Sequence, residues 1–102
     1  MAAKARAAWA EAGREGEPRL MGLAYFALGD SADADANAAL GHYYAWLGED
    51  IAAYIIASAA RDAKTVRCYV SEFAEAGCGE LIFCPSSSDP AQVDLLAEAA
   101  GL

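Results

Sequence analysis

At 102 residues the chain has room for a single domain of modest size, 1–102, and its 57% hydrophobic share rests heavily on alanine, which adds little apolar area per residue. With 15 acidic and 7 basic residues, the formal charge of −8 repels phosphate backbones and anionic lipid. Neither nucleic acid nor a membrane surface is an expected partner, and no window is long and apolar enough to span a bilayer.

A chain this short buries a smaller fraction of its surface than a large domain does. Part of its apolar surface is therefore expected to need a partner or further chain. The opening MAAKARAAWAEAGREGE lacks the continuous apolar core of a secretory signal. Cys68, Cys78 and Cys84 are odd in number and widely spaced, which fits neither a disulfide framework nor a zinc site. A reducing cytoplasm is the compartment this usage points to, with Cys68 and Cys84 read as buried apolar thiols.

Ala2 to Ala12 is alanine-rich and predicts a helix, with Trp9 anchoring it to what lies beneath. Gly13 and Gly16 end it, and Arg14 to Pro18 is a turn. Arg19 to Leu28, RLMGLAYFAL, predicts a strand from its apolar run, its aromatics and its Pro18 and Gly29 boundaries. A buried helix is the alternative. Gly29, Asp30 and Ser31 form a loop in which Asp30 or Ser31 caps the next helix. That helix runs to about Trp46 with Leu40, Tyr43, Tyr44 and Leu47 on one side. Gly48 interrupts it. Glu49 to Ala60 forms another helix, carrying Ile51, Tyr54, Ile55 and Ser58.

Asp62 caps the helix that follows, whose Val66, Tyr69, Val70 and Phe73 fall at i, i+3, i+4 and i+7 and make one apolar stripe. Gly77 stops it, because glycine takes the left-handed conformation without a Cβ penalty. Leu81 to Cys84 runs apolar without alternation, which predicts a parallel strand (80–84) buried on both faces. Pro85 breaks the strand, and Ser86, Ser87 and Ser88 form a loop. Asp89, Pro90 and Gln92 read as a capping box with proline at the first helical position. Val93, Leu95, Leu96 and Ala99 are the apolar set of the last helix, which Gly101 ends.

The order predicts an α/β chain: two parallel strands, about 19–28 and 80–84, with four to five helices. Strands separated by helices join by right-handed crossovers. Two parallel strands cannot stand alone as a sheet, so the pattern reads as a piece of a larger α/β fold.

The stretches PRLMGLAYFALGD, YYAWLG and EFAEAGCGELIFCPSSSDPAQVDLLAEAAG resemble the C-terminal end of the luciferase-like flavin-dependent monooxygenases, the LLM class of flavin-dependent oxidoreductases. The phrase E-A-G-x-x-E-L-I-F-x-P carries most of the likeness. The resemblance implies the last quarter to third of a (β/α)8 TIM barrel. Arg19 to Leu28 would be its seventh strand and Glu80 to Cys84 its eighth. Ser31 to Ala60 would match the helices this family inserts after the seventh strand, and Ala2 to Ala12 its sixth barrel helix. It further implies a reduced flavin, FMN or the deazaflavin F420, at the C-terminal mouth of the strands.

The loops at that mouth are Leu28 to Ser31 and Cys84 to Asp89. They offer Gly29, Cys84, Ser86 and Ser87 as cofactor-binding candidates. The plainer reading of the serines is a loop that caps the next helix. Asp89 would repel a phosphate there. No catalytic residue and no metal ligand is assigned. His42 has no acid partner in sequence and reads as structural. Tyr43, Tyr44, Trp46 and Tyr54 could line an aromatic pocket, although packing is the commoner role at helical spacing. With most of the family's flavin contacts on strands this chain lacks, it is expected to be inactive alone. A complementing barrel fragment or a second copy is the expected partner. The alternative is a small α/β module for self-association or protein interaction, without catalysis.

Overall fold

The computed structural model describes residues 2–102. In order it contains α1 (Ala2–Glu11), β1 (Met21–Phe26), α2 (Ala32–Tyr43), a 3-10 turn (Ala45–Leu47), α3 (Glu49–Ser58), α4 (Ala63–Glu75), β2 (Glu80–Pro85) and α5 (Ala91–Ala99). β1 and β2 pair in parallel, from Met21 opposite Glu80 to Phe26 opposite Pro85. They form an open two-stranded sheet. The chain is thus α/β, as the residue pattern predicts. β1 is shorter than the predicted 19–28, and the helix predicted to run to Trp46 ends at Tyr43 and tightens into the 3-10 turn.

Side chains alternate across a strand, so β1 and β2 each present two faces. Gly22, Ala24 and Phe26 share one face with Leu81 and Phe83, and α4 lies against it. Phe26 and Val66 are the largest fully buried side chains, joined by Leu28, Ala60 and Ala99, with Phe83, Tyr69, Leu95 and Leu96 packed around them. The Phe26 and Phe83 rings meet edge to face at 6.0 Å. A second cluster, Ala27, Ala32, Ala36, Leu40 and Ala59, packs the α2–α3 hairpin against the C-terminal end of β1. There Ala60 forms a one-residue bridge on the other edge of β1: its N–H donates to the Tyr25 carbonyl at 2.9 Å, and its carbonyl accepts from the Ala27 N–H at 2.9 Å.

The opposite face of the sheet is open over most of its length, and only Tyr25 at its C-terminal end is packed, against Tyr44. Met21, Leu23 and Ile82 are 51%, 53% and 39% exposed. This corrects the expectation that the second strand is buried on both faces. An unalternating apolar run needs a layer on each side, and this chain supplies helices to one. The result is an open shape of 49 × 36 × 20 Å with a radius of gyration of 15.9 Å. A compact domain of this length has about 13 Å.

Two helix boundaries, both of α4, follow directly from their residues. Asp62 caps α4 by accepting from the Thr65 N–H at 2.7 Å. That bond holds its carboxyl below the usual carboxylate range. Gly77, with φ at +94°, ends α4. The capping at α5 differs from the expected box. The Asp89 side chain accepts from the Ala91 N–H at 3.0 Å, but Gln92 does not reach back. It is 6% exposed, and its amide accepts from the Leu28 N–H at 2.9 Å and donates to the Leu28 carbonyl at 2.8 Å. This clamp satisfies a backbone pair just beyond β1 that no strand pairs. Ser31 makes no side-chain cap at α2.

Two more sequence expectations change. α1 buries no residue, and Trp9 anchors only its own turn: its indole N–H donates to the Glu15 carbonyl while the Arg14 guanidinium lies 3.8 Å over the ring. Cys68 is exposed on α4, where its thiol donates to Glu72 at 3.3 Å and is pushed up by that carboxylate.

Replacing Gly22 with alanine would place a methyl within 2.6 Å of Phe73 Cε1. Alanine is worth about 0.5–1 kcal/mol over glycine in a strand, but overpacking costs about 1–3 kcal/mol. Gly22→Ala is expected to destabilise by about 1–2 kcal/mol in urea unfolding. Gln92→Ala strands a buried N–H and C=O at Leu28 and is expected to cost about 2–4 kcal/mol in the same assay.

Candidate functional site at the strand ends

The C-terminal ends of β1 and β2 meet the flank of α2. Between them lies a cleft of about 290 Å³ lined by Tyr25, Ala39, Leu40, Tyr43, Pro85 and Ser86. β1 places Tyr25 opposite Cys84 of β2, on the uncovered face of the sheet. The last residue of α2, Tyr43, and Tyr44 just after it lie beside it. The Tyr25 and Tyr44 rings meet edge to face at 5.9 Å and their hydroxyls hydrogen-bond to each other. Tyr43 and Tyr44 stack edge to face at 4.9 Å.

The hydroxyl pair sets the electrostatics. The Tyr44 hydroxyl bond and, after it, burial push the Tyr25 phenol up to about 12. Tyr25 is therefore a neutral hydroxyl at ordinary pH. Two hydroxyls joined by one hydrogen bond use one of their two protons, so the second proton has no acceptor within the pair. Ser86 adds another unsettled group. Its backbone N–H donates to the Phe26 carbonyl at 2.9 Å, extending the ladder by one bond. Its Oγ is buried with no hydrogen-bond partner. An orphaned buried hydroxyl costs about 1–3 kcal/mol.

The four mouth candidates fall in different places. Cys84 and Ser86 lie on the tyrosine side. Ser87 is occupied by its own loop, accepting from the Asp89 N–H at 3.2 Å. Gly29, with φ at +90°, opens instead on a cleft of about 410 Å³ with Arg61, Asp62, Arg67 and Leu95. The Arg61 guanidinium there donates to Asp33 at 2.9 Å, Asn37 at 3.2 Å and the Ile56 carbonyl at 2.8 Å. His42 is exposed on α2. The aromatic pocket foreseen in sequence is divided: Tyr43 and Tyr44 gather round Tyr25, while Trp46 and Tyr54 are 78% and 77% exposed. Tyr25 was not among the foreseen residues. Its signal was positional: two and four residues from Leu23 and Met21, it shares their face, opposite Phe26.

A larger cleft, about 730 Å³, lies at the other end of the sheet. Among the described residues its lining, which includes Ala2, Ala5, Leu20, Met21 and Phe73, holds one charged side chain, Arg6. Among the described residues no group of three His, Cys, Asp or Glu could hold a metal ion, and no helix is long and apolar enough to cross a membrane. Compared with protein-family models, curated proteins and solved structures, the chain matches none.

A phenol with a raised folded-state value contributes stability below the unfolded value near 10 and loses it as pH rises through the folded one. Alkaline titration followed by phenolate absorbance should show one tyrosine ionising near 12. Tyr25→Phe should remove that late step. Its persistence would show that Tyr25 is not the group held back.

Proposed function

We propose that the chain forms the C-terminal part of a luciferase-like, flavin-dependent oxidoreductase barrel of the monooxygenase class, contributing its last two strands and the helices around them. One observation carries this reading. β1 and β2 are parallel, with helices on one face and bare apolar side chains on the other. That is the arrangement of two adjacent barrel strands seen without the other six, whose side chains would fill the interior. The resemblance of the E-A-G-x-x-E-L-I-F-x-P stretch supplies the family.

FMN and F420 both carry phosphate, and the tyrosine cleft does not make a site for it. Among the described residues no cationic side chain lines that cleft, Ser87 is occupied, and Asp89 is an acid at the start of α5. In this reading the chain alone lacks activity, and the cofactor contacts lie on other strands. Purified chain titrated into FMN or F420 should leave cofactor fluorescence unchanged at micromolar concentrations. Micromolar binding to a monomer would overturn the claim that the site is incomplete.

A second reading, a small α/β module for self-association or protein interaction, draws on a separate surface. Val70, Val93 and Leu102 are 43%, 67% and 96% exposed, and they line a cleft of about 510 Å³ beside Leu81 and Phe83 of β2. Light scattering separates the readings. A stable homo-oligomer that binds no apolar dye favours the module. A monomer that binds dye, and loses it when a complementing barrel fragment is added, favours the barrel.

A further inference from the structure

We infer that β2 pairs along its free edge with β2 of a second copy, in an antiparallel dimer with two-fold symmetry. The inference rests on the self-association reading and gives it a stoichiometry and a register. The chain has the area for it. A folded monomer of 10.6 kDa exposes about 5,500 Å², whereas this chain exposes 6975 Å². The excess, about 1,500 Å², is larger than the roughly 800 Å² that each partner gives to a standard interface.

Strand parity places the contact. The Ser86 N–H donates to the Phe26 carbonyl, and Phe26 lies opposite Pro85. In a parallel ladder that register turns the backbone of Ile82 and Cys84 towards β1 and the N–H and C=O groups of Leu81 and Phe83 outward. Among the described residues no strand pairs them there. Natural sheet edges are guarded by charge or proline. On β2 such residues stand only at the ends, Glu80 and Pro85.

The edge is complementary to itself, as a two-fold interface requires. With the axis at Ile82, Leu81 of each copy lies opposite Phe83 of the partner subunit, and each such pair exchanges both its N–H···O bonds. The ladder stops where donors run out: Pro85 has no N–H, and the Gly79 N–H is already given to the Leu20 carbonyl. Glu80 falls opposite Cys84 of the partner subunit, so no like charges meet. The cleft of about 510 Å³ beside this edge holds no charged side chain among the described residues. Two chains of charge −8 can therefore meet there without burying a carboxylate.

Light scattering on the full chain should give twice 10.6 kDa, with a dissociation constant on the order of 10 μM or tighter. Ile82→Lys and Ile82→Glu each oppose like charges at the axis, and each should weaken the dimer about tenfold or more with circular dichroism unchanged. Mixing the two variants should restore a dimer. Leu23→Lys, on the same open face but on β1, should leave it intact. In the unsubstituted chain, amide exchange should protect the Leu81 and Phe83 N–H groups in concentrated protein and release them on dilution. A monomer at about 0.5 mM would overturn this pairing together with the self-association reading. A dimer that survives both Ile82 variants, is lost in Leu23→Lys, or leaves the two amides exchanging freely would overturn the pairing alone.

Discussion

The contact on which the rest of the chain depends is the seating of α4 on the β1–β2 pair. A two-stranded parallel sheet has too little of its own to hold its register and needs a layer against it. Gly22 provides the room. Without a side chain there, the Phe73 ring lies directly over the strand backbone. Val66, two turns back on the same face, is then carried into full burial beside Phe26. The cap at Asp62 and the stop at Gly77 fix where α4 begins and ends, and so which of its residues meet the sheet. β2 follows the stop almost at once, and the Gly79 N–H donates to the Leu20 carbonyl at 2.9 Å to open the parallel ladder.

At the other end of the sheet the problem is polar. The chain leaves β1 at Phe26 and runs buried through Leu28, where backbone groups have no neighbouring strand. Buried N–H and C=O groups demand partners. Ala60 serves Tyr25 and Ala27, and the Gln92 amide serves both groups of Leu28. Each partner comes from a different element, the loop after α3 and the first turn of α5. Satisfying one short stretch of backbone therefore gathers α3 and α5 around the end of β1. The same gathering leaves α2 beside the strand ends and creates the cleft.

Much of this was legible in the chain. Element order, the parallel pair, the Asp62 cap and the Gly77 stop follow from local rules that need few neighbours. What stayed hidden needed a third dimension. Asp89 and Gln92 carry the spacing of a capping box, but an amide that can reach a buried backbone pair is worth more there than at an exposed helix end. Cys68 sits one residue from the buried stripe of α4, and a step of one on a helix turns a side chain out to solvent. The run Leu81 to Cys84 shows that both faces of β2 are apolar. It does not show that this chain covers both. At the site, Tyr43 and Tyr44 were visible as candidates, but Tyr25 emerges only when strand parity puts it opposite Cys84 and away from the core.

The distribution of side-chain size gives the uncovered face its meaning. Among the described residues twelve hydrophobic ones are buried, and of these only Phe26, Leu28, Leu40 and Val66 are larger than alanine. The large apolar side chains stand mostly outside, Met21, Leu23 and Ile82 on the sheet and Val70 and Val93 beside it. Hydrophobic stabilisation scales with the apolar area removed from water, at about 25 cal/mol per Å². An alanine core removes little, so the interior of this chain contributes modestly to its own stability. Most of the area that could contribute lies on surfaces a further protein layer would cover. The naked side of β1 and β2 thus holds apolar area that this chain's own helices do not remove from water.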